Sequence, residues 1–480
     1  MSDLHFPLHS HNVKFDTGIK YADPGVYYHF TSLPAFWSIL EHESFWATQA
    51  TFSNDTEELI KGRSIITQIL SNVIQYAASC LSCNIPEMER VKQYCGAVSL
   101  SESEETRIKA ALDNLNLVSQ KQKEAYLKQL VQMLDIWQSR RLDCYIICVC
   151  KINDILSQWR GYCRNDGVSL GLAFERETPK MFVRSKDDAG EAAEANGIKL
   201  CAVWYCGDDT DQDKGELENV KNVILNYLTD KVLPETDFSP IAVLNFLSSI
   251  SPYIKHVGFR EEEECRMVFL KDDASRANVQ LNADHVQYAV EKDNVQSPHL
   301  VVAFNPKDRS GKAAKVKKAA AASAATTGAS GTTAAPASGT ESLSKPQYIR
   351  FFPGESASEA NTESFSNKLK EVLKGTHLSL NLMKSPVIKE KQIIIGPGDE
   401  VEQQKLFKLL DEAFNETADI DSRNVPIWCE GHLPIRTITV SPCQNQDEVV
   451  RSIRHYIDSQ FFWMKYVKVS GSKIPFRRPK

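Results

Sequence analysis

No apolar run in this chain approaches the roughly 20 residues that a membrane span needs. The first residues, Met-Ser-Asp-Leu-His-Phe, lack the basic and apolar regions of a secretory signal. These two absences lead to the expectation of a cytoplasmic protein with no membrane partner. Positive charge is not in excess either: 56 Lys and Arg stand against 62 Asp and Glu, a net charge of -6. That balance argues against a broad electrostatic surface for nucleic acid, and the basic clusters at Lys312 to Lys318 and Arg477-Arg478 are only local. The twelve cysteines lack a metal-site pattern, because Cys80-Leu-Ser-Cys83 has ligand-pair spacing but no second CxxC or HxxxH completes it. In a reducing compartment they are expected as free thiols, with Cys144, Cys148 and Cys150 as small core residues of a strand. No metal cofactor is expected.

What is present is ample material for a core. The chain has 480 residues, more than one ordinary domain, and 42% hydrophobic content. Val26-Tyr-Tyr-His-Phe-Thr-Ser32 reads as an aromatic and β-branched strand. Ser32 or Thr31 is placed to cap the next helix, which has Pro34 in its first turn and Phe36, Ile39 and Leu40 on one face. Phe45-Trp46-Ala47-Thr48 reads as a second strand, and Phe52-Ser-Asn-Asp-Thr-Glu-Glu58 as a turn and helix start.

From 59 to about 142 the pattern is helical, with Ile65, Ile66, Ile69, Leu70, Val73 and Ile74 in one stripe and capping-box spacing at Ser101 and Glu104. This stretch reads as a helical insertion covering one face of a sheet. Further strands are expected at Cys144 to Ile152, at Val168 to Phe174 after the turn signal Asn165-Asp-Gly167, at Leu200 to Cys206, and at Leu300 to Phe304. Most of these strands lie too close together for crossover helices, which favours an α+β fold with a mixed or antiparallel sheet.

Three regions follow: a core over 1–306, a flexible Ala/Ser/Thr-rich linker or insertion over 307–345, and a C-terminal part over 346–480. The last part carries a weak βα repeat. Pro386 to Pro397 is followed by helical spacing through Leu406, Leu409, Leu410 and Phe414, and Leu433 to Pro442 by Val449, Val450, Ile453 and Ile457. Gly396-Pro397 is a weak candidate for an anion-binding helix start.

The stretch richest in chemistry is Gly258-Phe-Arg-Glu-Glu-Glu-Glu-Cys-Arg-Met-Val-Phe269. Its carboxylates feed directly into an apolar strand, where alternation predicts Glu262, Glu264 and Arg266 on one face and Glu261 and Glu263 solvated on the other. Such a set is either an ion-pair ladder or part of an active site.

Five short motifs in order resemble a bacterial family catalogued as a domain of unknown function. They are His29-Phe-Thr-Ser32; Phe52-Ser-Asn-Asp55 with Glu57 and Glu58; Ser157, Trp159 and Tyr162 ahead of the strand Gly167 to Phe174; Phe259 with Glu262, Glu264 and Arg266; and the late Ile-Gly-Pro ending at Pro397. The resemblance covers about residues 26 to 400, with the Ala-rich stretch as an insertion, and departs at Cys265, where the family more often has an aromatic.

More distantly, an early H-x-T strand, a middle strand preceded by Ser and an aromatic, and a late E-x-E strand resemble the ADP-ribosyltransferase superfamily, especially its DNA-targeting toxins. That resemblance implies a split sheet, NAD as co-substrate, and transfer of ADP-ribose to a protein or nucleic-acid acceptor, or hydrolysis of NAD. The setting it implies is a bacterial toxin or phage-defence effector.

It also implies roles for individual residues. Glu264 would stabilise the oxocarbenium-like state while Glu262 orients or deprotonates the acceptor. His29 and Thr31 would hold the ribose or phosphate; Ser157 and Trp159 or Tyr162 would bind the nicotinamide end; Asn54, Asp55, Glu57 and Arg266 would shape the pocket. Two other readings stay open: a metal-dependent nuclease using Glu262 and Asp55, and a non-enzymatic sensor with the C-terminal repeat as the surface for a regulatory partner or a second copy.

Overall fold

A computed structural model describes residues 21–23, 25–52, 58–96, 98–140, 142, 144–163, 166–174, 181–185, 193–195, 198–207, 211–270, 285–290, 296–304, 347–351, 367, 370–371, 374, 379–384, 391–398, 427–429, 432–461, 464 and 467–475. The expected linker at 307–345, the helix expected after Pro397, and the candidate residues Asn54, Asp55 and Glu57 lie outside these.

The described chain starts with β1 (Gly25–Ser32), α1 (Leu33–His42) and β2 (Ser44–Gln49). Four helices follow: α2 (Glu58–Cys80), α3 (Met88–Tyr94), α4 (Glu102–Asp113) and α5 (Gln120–Ser139). β3 (Cys144–Cys150) leads to a helical turn, α6 (Leu156–Gln158), which continues as a π-helix over Trp159–Cys163, and then to β4 (Gly167–Phe174). Short strands β5 (Phe182–Val183), β6 (Ala193–Glu194), β7 (Cys201–Ala202) and β8 (Trp204–Cys206) precede α7 (Asp211–Lys231), α8 (Pro240–Ile250) and β9 (Ile254–His256). A 3-10 helix over Val257–Glu262 opens β10 (Glu264–Leu270), followed by β11 (Val286–Val290) and β12 (Gln296–Ala303). The last elements are β13 (Gln347–Phe351), β14 (Ser379–Lys384), β15 (Lys391–Gly398), β16 (Ile427–Cys429), β17 (Ile435–Val440), α9 (Gln446–Gln460) and β18 (Lys468–Gly471).

Two compact units form, one from residues 1–21, 57–142 and 201–259, the other from residues 22–56, 143–200 and 260–480. The first is mainly helical. Ile65, Ile66, Ile69, Leu70, Val73 and Ile74 are all buried, as their helical spacing predicts. Ser101 caps α4 in a capping box with Glu104, and Ser239 caps α8 ahead of Pro240. The expected insertion is therefore part of a larger body that also takes in residues 201–259. The run Leu200 to Cys206, expected as one strand, breaks at Val203 into β7 and β8, and β8 pairs in parallel with β9.

The second unit is built on a mixed, open sheet dominated by antiparallel pairs. Its order runs β18-β17-β4-β1-β3-β2-β12-β5-β6, with β10 on β3 and β11 on β12; β17 and β18 pair in parallel. β1 begins this architecture from local chemistry. Its eight residues pair in full with β4, Ser32 Oγ accepts from the Ala35 amide at 3.4 Å to start α1, and Glu43 at φ 48° ends that helix and starts β2. Gly167 is needed at the head of β4 because a Cβ there would sit 2.5 Å from the Thr31 carbonyl. A second antiparallel sheet has the order β14-β15-β13-β16. The two strands of the expected C-terminal repeat thus belong to different sheets, β15 to this one and β17 to the main one. Gly396-Pro397 lies inside β15, with Gly396 paired to Ser379, and not at a turn before a helix. Among the described residues no helix is long and apolar enough to cross a membrane.

Candidate functional site

A strand has two edges, and β3 uses one of them entirely for β10, from Cys144 opposite Leu270 to Cys150 opposite Glu264. Its other edge is shared. β1 joins it at Tyr28 opposite Cys150, while β2 joins it at Thr48 opposite Ile146 and Gln49 opposite Tyr145. Between those two contacts the sheet parts, and Cys148 lies at the parting. His29 closes it: Nδ1 donates to the Cys148 carbonyl at 2.9 Å, and the ring meets Phe45 of β2 edge-on at 5.2 Å. Donation from Nδ1 leaves Nε2 as the acceptor, and burial holds the imidazole below its ordinary pKa, so the ring is neutral. Thr31, two residues on, is half-buried and pairs with Val168.

The acidic stretch is not one continuous strand. Glu261 is exposed and Glu262 half-buried in the 3-10 helix, and Glu263, also exposed, takes φ 41° as its amide donates to the Arg260 carbonyl at 3.1 Å. This left-handed residue breaks the alternation, so Glu262 does not share a strand face with Glu264, contrary to the period-2 expectation. β10 begins at Glu264, whose carboxylate is gripped by Arg266. Nε donates to Oε1 at 2.7 Å and Nη2 to Oε2 at 2.9 Å, with both residues no more than 2% exposed. The pair expected as either ladder or active site is a buried fork between these two residues.

The Ser-x-Trp-x-x-Tyr segment folds as the turn α6 and its π-helical continuation. Trp159 is 3% exposed, meets Phe30 edge-on at 4.8 Å, and packs with Cys150 and Cys163. Its indole N–H donates to Asp154 Oδ1 at 2.8 Å. Trp159, one of the two aromatics expected at the nicotinamide end, is thus buried among core residues. Tyr162 and Tyr28 are half-buried at the margin of the same cluster. Ser157 Oγ is buried with no hydrogen-bond partner among the described residues.

Sequence reading missed Asp154 altogether. It sits at φ 60° in the turn after β3, and its carboxylate also accepts from Ser472 Oγ and, at 2.8 Å, from the Lys473 amide. Ile474 then packs on the cluster of Phe30, Cys150, Trp159 and Cys163. The only local hint is the Asn-Asp dipeptide, which tolerates left-handed backbone. Asp154→Ala is expected to cost about 2–4 kcal/mol, because it orphans a buried indole N–H and two tail donors and puts Ala in a left-handed turn. Urea denaturation checks this, with Asp154→Asn expected to lose about half as much.

Antiparallel partners share a face, as do residues two apart. Tyr28, Cys150 and Glu264 therefore project from one face together with Cys148 and Arg266, and Trp159 and Tyr162 pack beside Cys150 on that face. The same face continues through Val268, Ile146 and Thr48 to Trp46, which is 51% exposed. His29 and Thr31 leave β1 from the opposite face, and His29 reaches the Cys148 carbonyl at the edge of β3. The structure thus brings Glu264, Arg266, Trp159 and Tyr162 to one face. Tyr28 and Trp46 are additions to that set, and nothing in their local sequence marks them beyond strand propensity.

Among the described residues no group of three or more His, Cys, Asp or Glu is placed to hold a metal ion. Comparison of the chain with protein-family models, with curated proteins and with solved structures returns no match.

Proposed function

We propose that this chain is an NAD-consuming enzyme of the ADP-ribosyltransferase type, acting on a macromolecular acceptor or on water. The observation that carries the reading is the parting of β1 and β2 along one edge of β3, with a neutral His29 held at that gap. A split sheet with its early His-x-Thr strand at the split is the arrangement that the motif resemblance implies. The buried hydroxyl of Ser157, which has no hydrogen-bond partner among the described residues, also fits, since an orphaned donor of this kind is costly unless a ligand or water satisfies it.

The roles differ from a plain E-x-E reading. Glu264 is occupied by Arg266 and acts as a positioning residue at the start of β10. Glu262, half-buried just before that strand, is the carboxylate for the reacting end. Tyr162, at the margin of the aromatic cluster, takes the stacking role that Trp159 cannot. In the reaction the bond between ribose C1′ and the nicotinamide nitrogen breaks, and its electron pair leaves with neutral nicotinamide. The acceptor oxygen or nitrogen then bonds to C1′ and passes its proton to Glu262. His29 acts from the opposite face, holding the Cys148 carbonyl at the parting. A toxin or phage-defence setting rests on the motif resemblance alone.

Glu262→Gln is expected to keep the fold and to lower NAD loss and label transfer by about a hundredfold or more. The measurement is incubation of radiolabelled NAD with the protein and with cell extracts, followed for free nicotinamide and for label on protein and nucleic acid. Wild-type protein that neither consumes NAD nor transfers label with any extract sinks the reading.

A further inference from the structure

An interior strand of a sheet seldom shows a tryptophan to solvent, yet Trp46 of β2 is 51% exposed. One side of its indole is already covered. The His299 ring stacks against it with centroids 4.1 Å apart and planes 22° from parallel, and His299 itself is 3% exposed, with Nδ1 facing the Ser297 carbonyl at 3.4 Å. Burial lowers the His299 pKa, so the ring beneath the indole is uncharged. A fixed, neutral ring on one side holds Trp46 as a rigid plate with its other side open.

The surroundings add polarity of a particular kind. Trp46 pairs with Val301, and the amide of Arg184 donates to the Val301 carbonyl at 2.9 Å on the other edge of β12, so Trp46, Val301 and Arg184 form one row across the sheet face. Thr48, half-buried, lies on the same face of β2. A flat aromatic plate with a hydroxyl beside it matches a planar base carried on a sugar.

We infer that the Trp46–His299 plate is a stacking site for a nucleobase, on the same sheet face as Glu264 and Tyr28. The inference deepens the function proposed above and names the part of the ligand that this face takes. The base belongs either to the dinucleotide or to an unpaired position of a nucleic-acid acceptor, and the stacking chemistry is the same for both.

The test is titration of the full chain with AMP, NAD, ribose 5-phosphate and single-stranded oligoadenylate, followed by tryptophan emission. The base-bearing ligands are expected to quench a component that Trp46→Leu lacks, and ribose 5-phosphate to leave it unchanged. Trp46→Leu is expected to bind about tenfold more weakly or worse, with Trp46→Phe within a few-fold of wild type. Binding of AMP and NAD assigns the plate to the dinucleotide; binding of the oligonucleotide alone assigns it to the acceptor.

Three results overturn the inference: no quenching by any base-bearing ligand, equal affinity in Trp46→Leu with its far-UV spectrum unchanged, or an effect of Trp46→Leu confined to sedimentation, which makes the face a contact between copies. Should Trp46→Leu not fold, Trp46→Phe decides, because a plate must keep binding and a packing defect has no reason to spare it. Protein that shows the Trp46 quenching but never consumes NAD sinks the proposed activity and leaves the base site standing.

Discussion

Glu264→Ala is expected to lose about 3–5 kcal/mol of stability, enough to unfold a large fraction of a marginally stable protein. The cause is the charge left behind. Arg266 is 0% exposed and donates from both Nε and Nη2 to this carboxylate, so the substitution removes the buried counter-charge that those two donors share. The double variant Glu264→Leu/Arg266→Met is expected to recover most of that loss, because a buried ion pair is worth little more than well-packed apolar groups of similar volume. Urea denaturation of the two single variants and the double closes the cycle. Single variants that each cost under 1 kcal/mol contradict the buried fork. The practical consequence concerns catalysis, since lost activity in Glu264→Ala reports unfolding as much as chemistry. For that reason the activity is tested at Glu262.

Lys221→Met in the helical unit is expected to cost a similar amount, about 3–5 kcal/mol. The Lys221 ammonium is buried, 3.1 Å from Glu104 Oε2, 2.7 Å from Glu218 Oε1 and 3.1 Å from the Ser99 carbonyl. Glu104 is buried as well, and it also accepts from the Ser101 amide at 2.7 Å to complete the capping box of α4. The lysine therefore neutralises a carboxylate that the helix start requires, and ties α4 to α7. By contrast, the Arg90–Asp135 pair, 3.2 Å apart with side chains 56% and 37% exposed, is expected to be worth less than about 1 kcal/mol.

The Lys221 site also has a pH signature. Burial pulls the ammonium pKa down, but the hydrogen bonds and charges of Glu218 and Glu104 outweigh it, so the group ends above the ordinary lysine value of 10.5. A pKa raised on folding stabilises fully below the unfolded value and is lost as pH rises through the folded one. The stability difference between wild type and Lys221→Met is thus expected to hold steady up to about pH 10 and to shrink above 10.5. A difference that grows with alkalinity contradicts the assignment.

Much of this molecule follows from short-range chemistry. Ser32 and Pro34 start α1, Ser101 and Glu104 close a capping box, and the isoleucines of α2 face inward, each through contacts three or four residues apart. Apolar runs likewise place β1, β3, β4 and β10 close to where they form. The failures have one origin. Glu263 at φ 41° turns the chain just where alternation would have joined Glu262 to Glu264, and a charged residue in left-handed backbone carries no pattern to announce it. Trp159 was legible as an aromatic in a motif, but its burial depends on Asp154, and Asp154 is held by a tail 318 residues further along the chain.

Composition and periodicity decide which segments become strands or helices and which side of each turns inward, because those choices depend on nearest neighbours and on period 2 or 3.6. They carry no identity for the partner across a strand edge. That β3 gives one edge to β10 and divides the other between β1 and β2, that His29 fills the resulting gap, and that Trp46 comes to lie on the face of Glu264 are set only by long-range pairing. Backbone hydrogen bonds are chemically alike at every strand, so register and neighbour are chosen by the packing of the whole sheet.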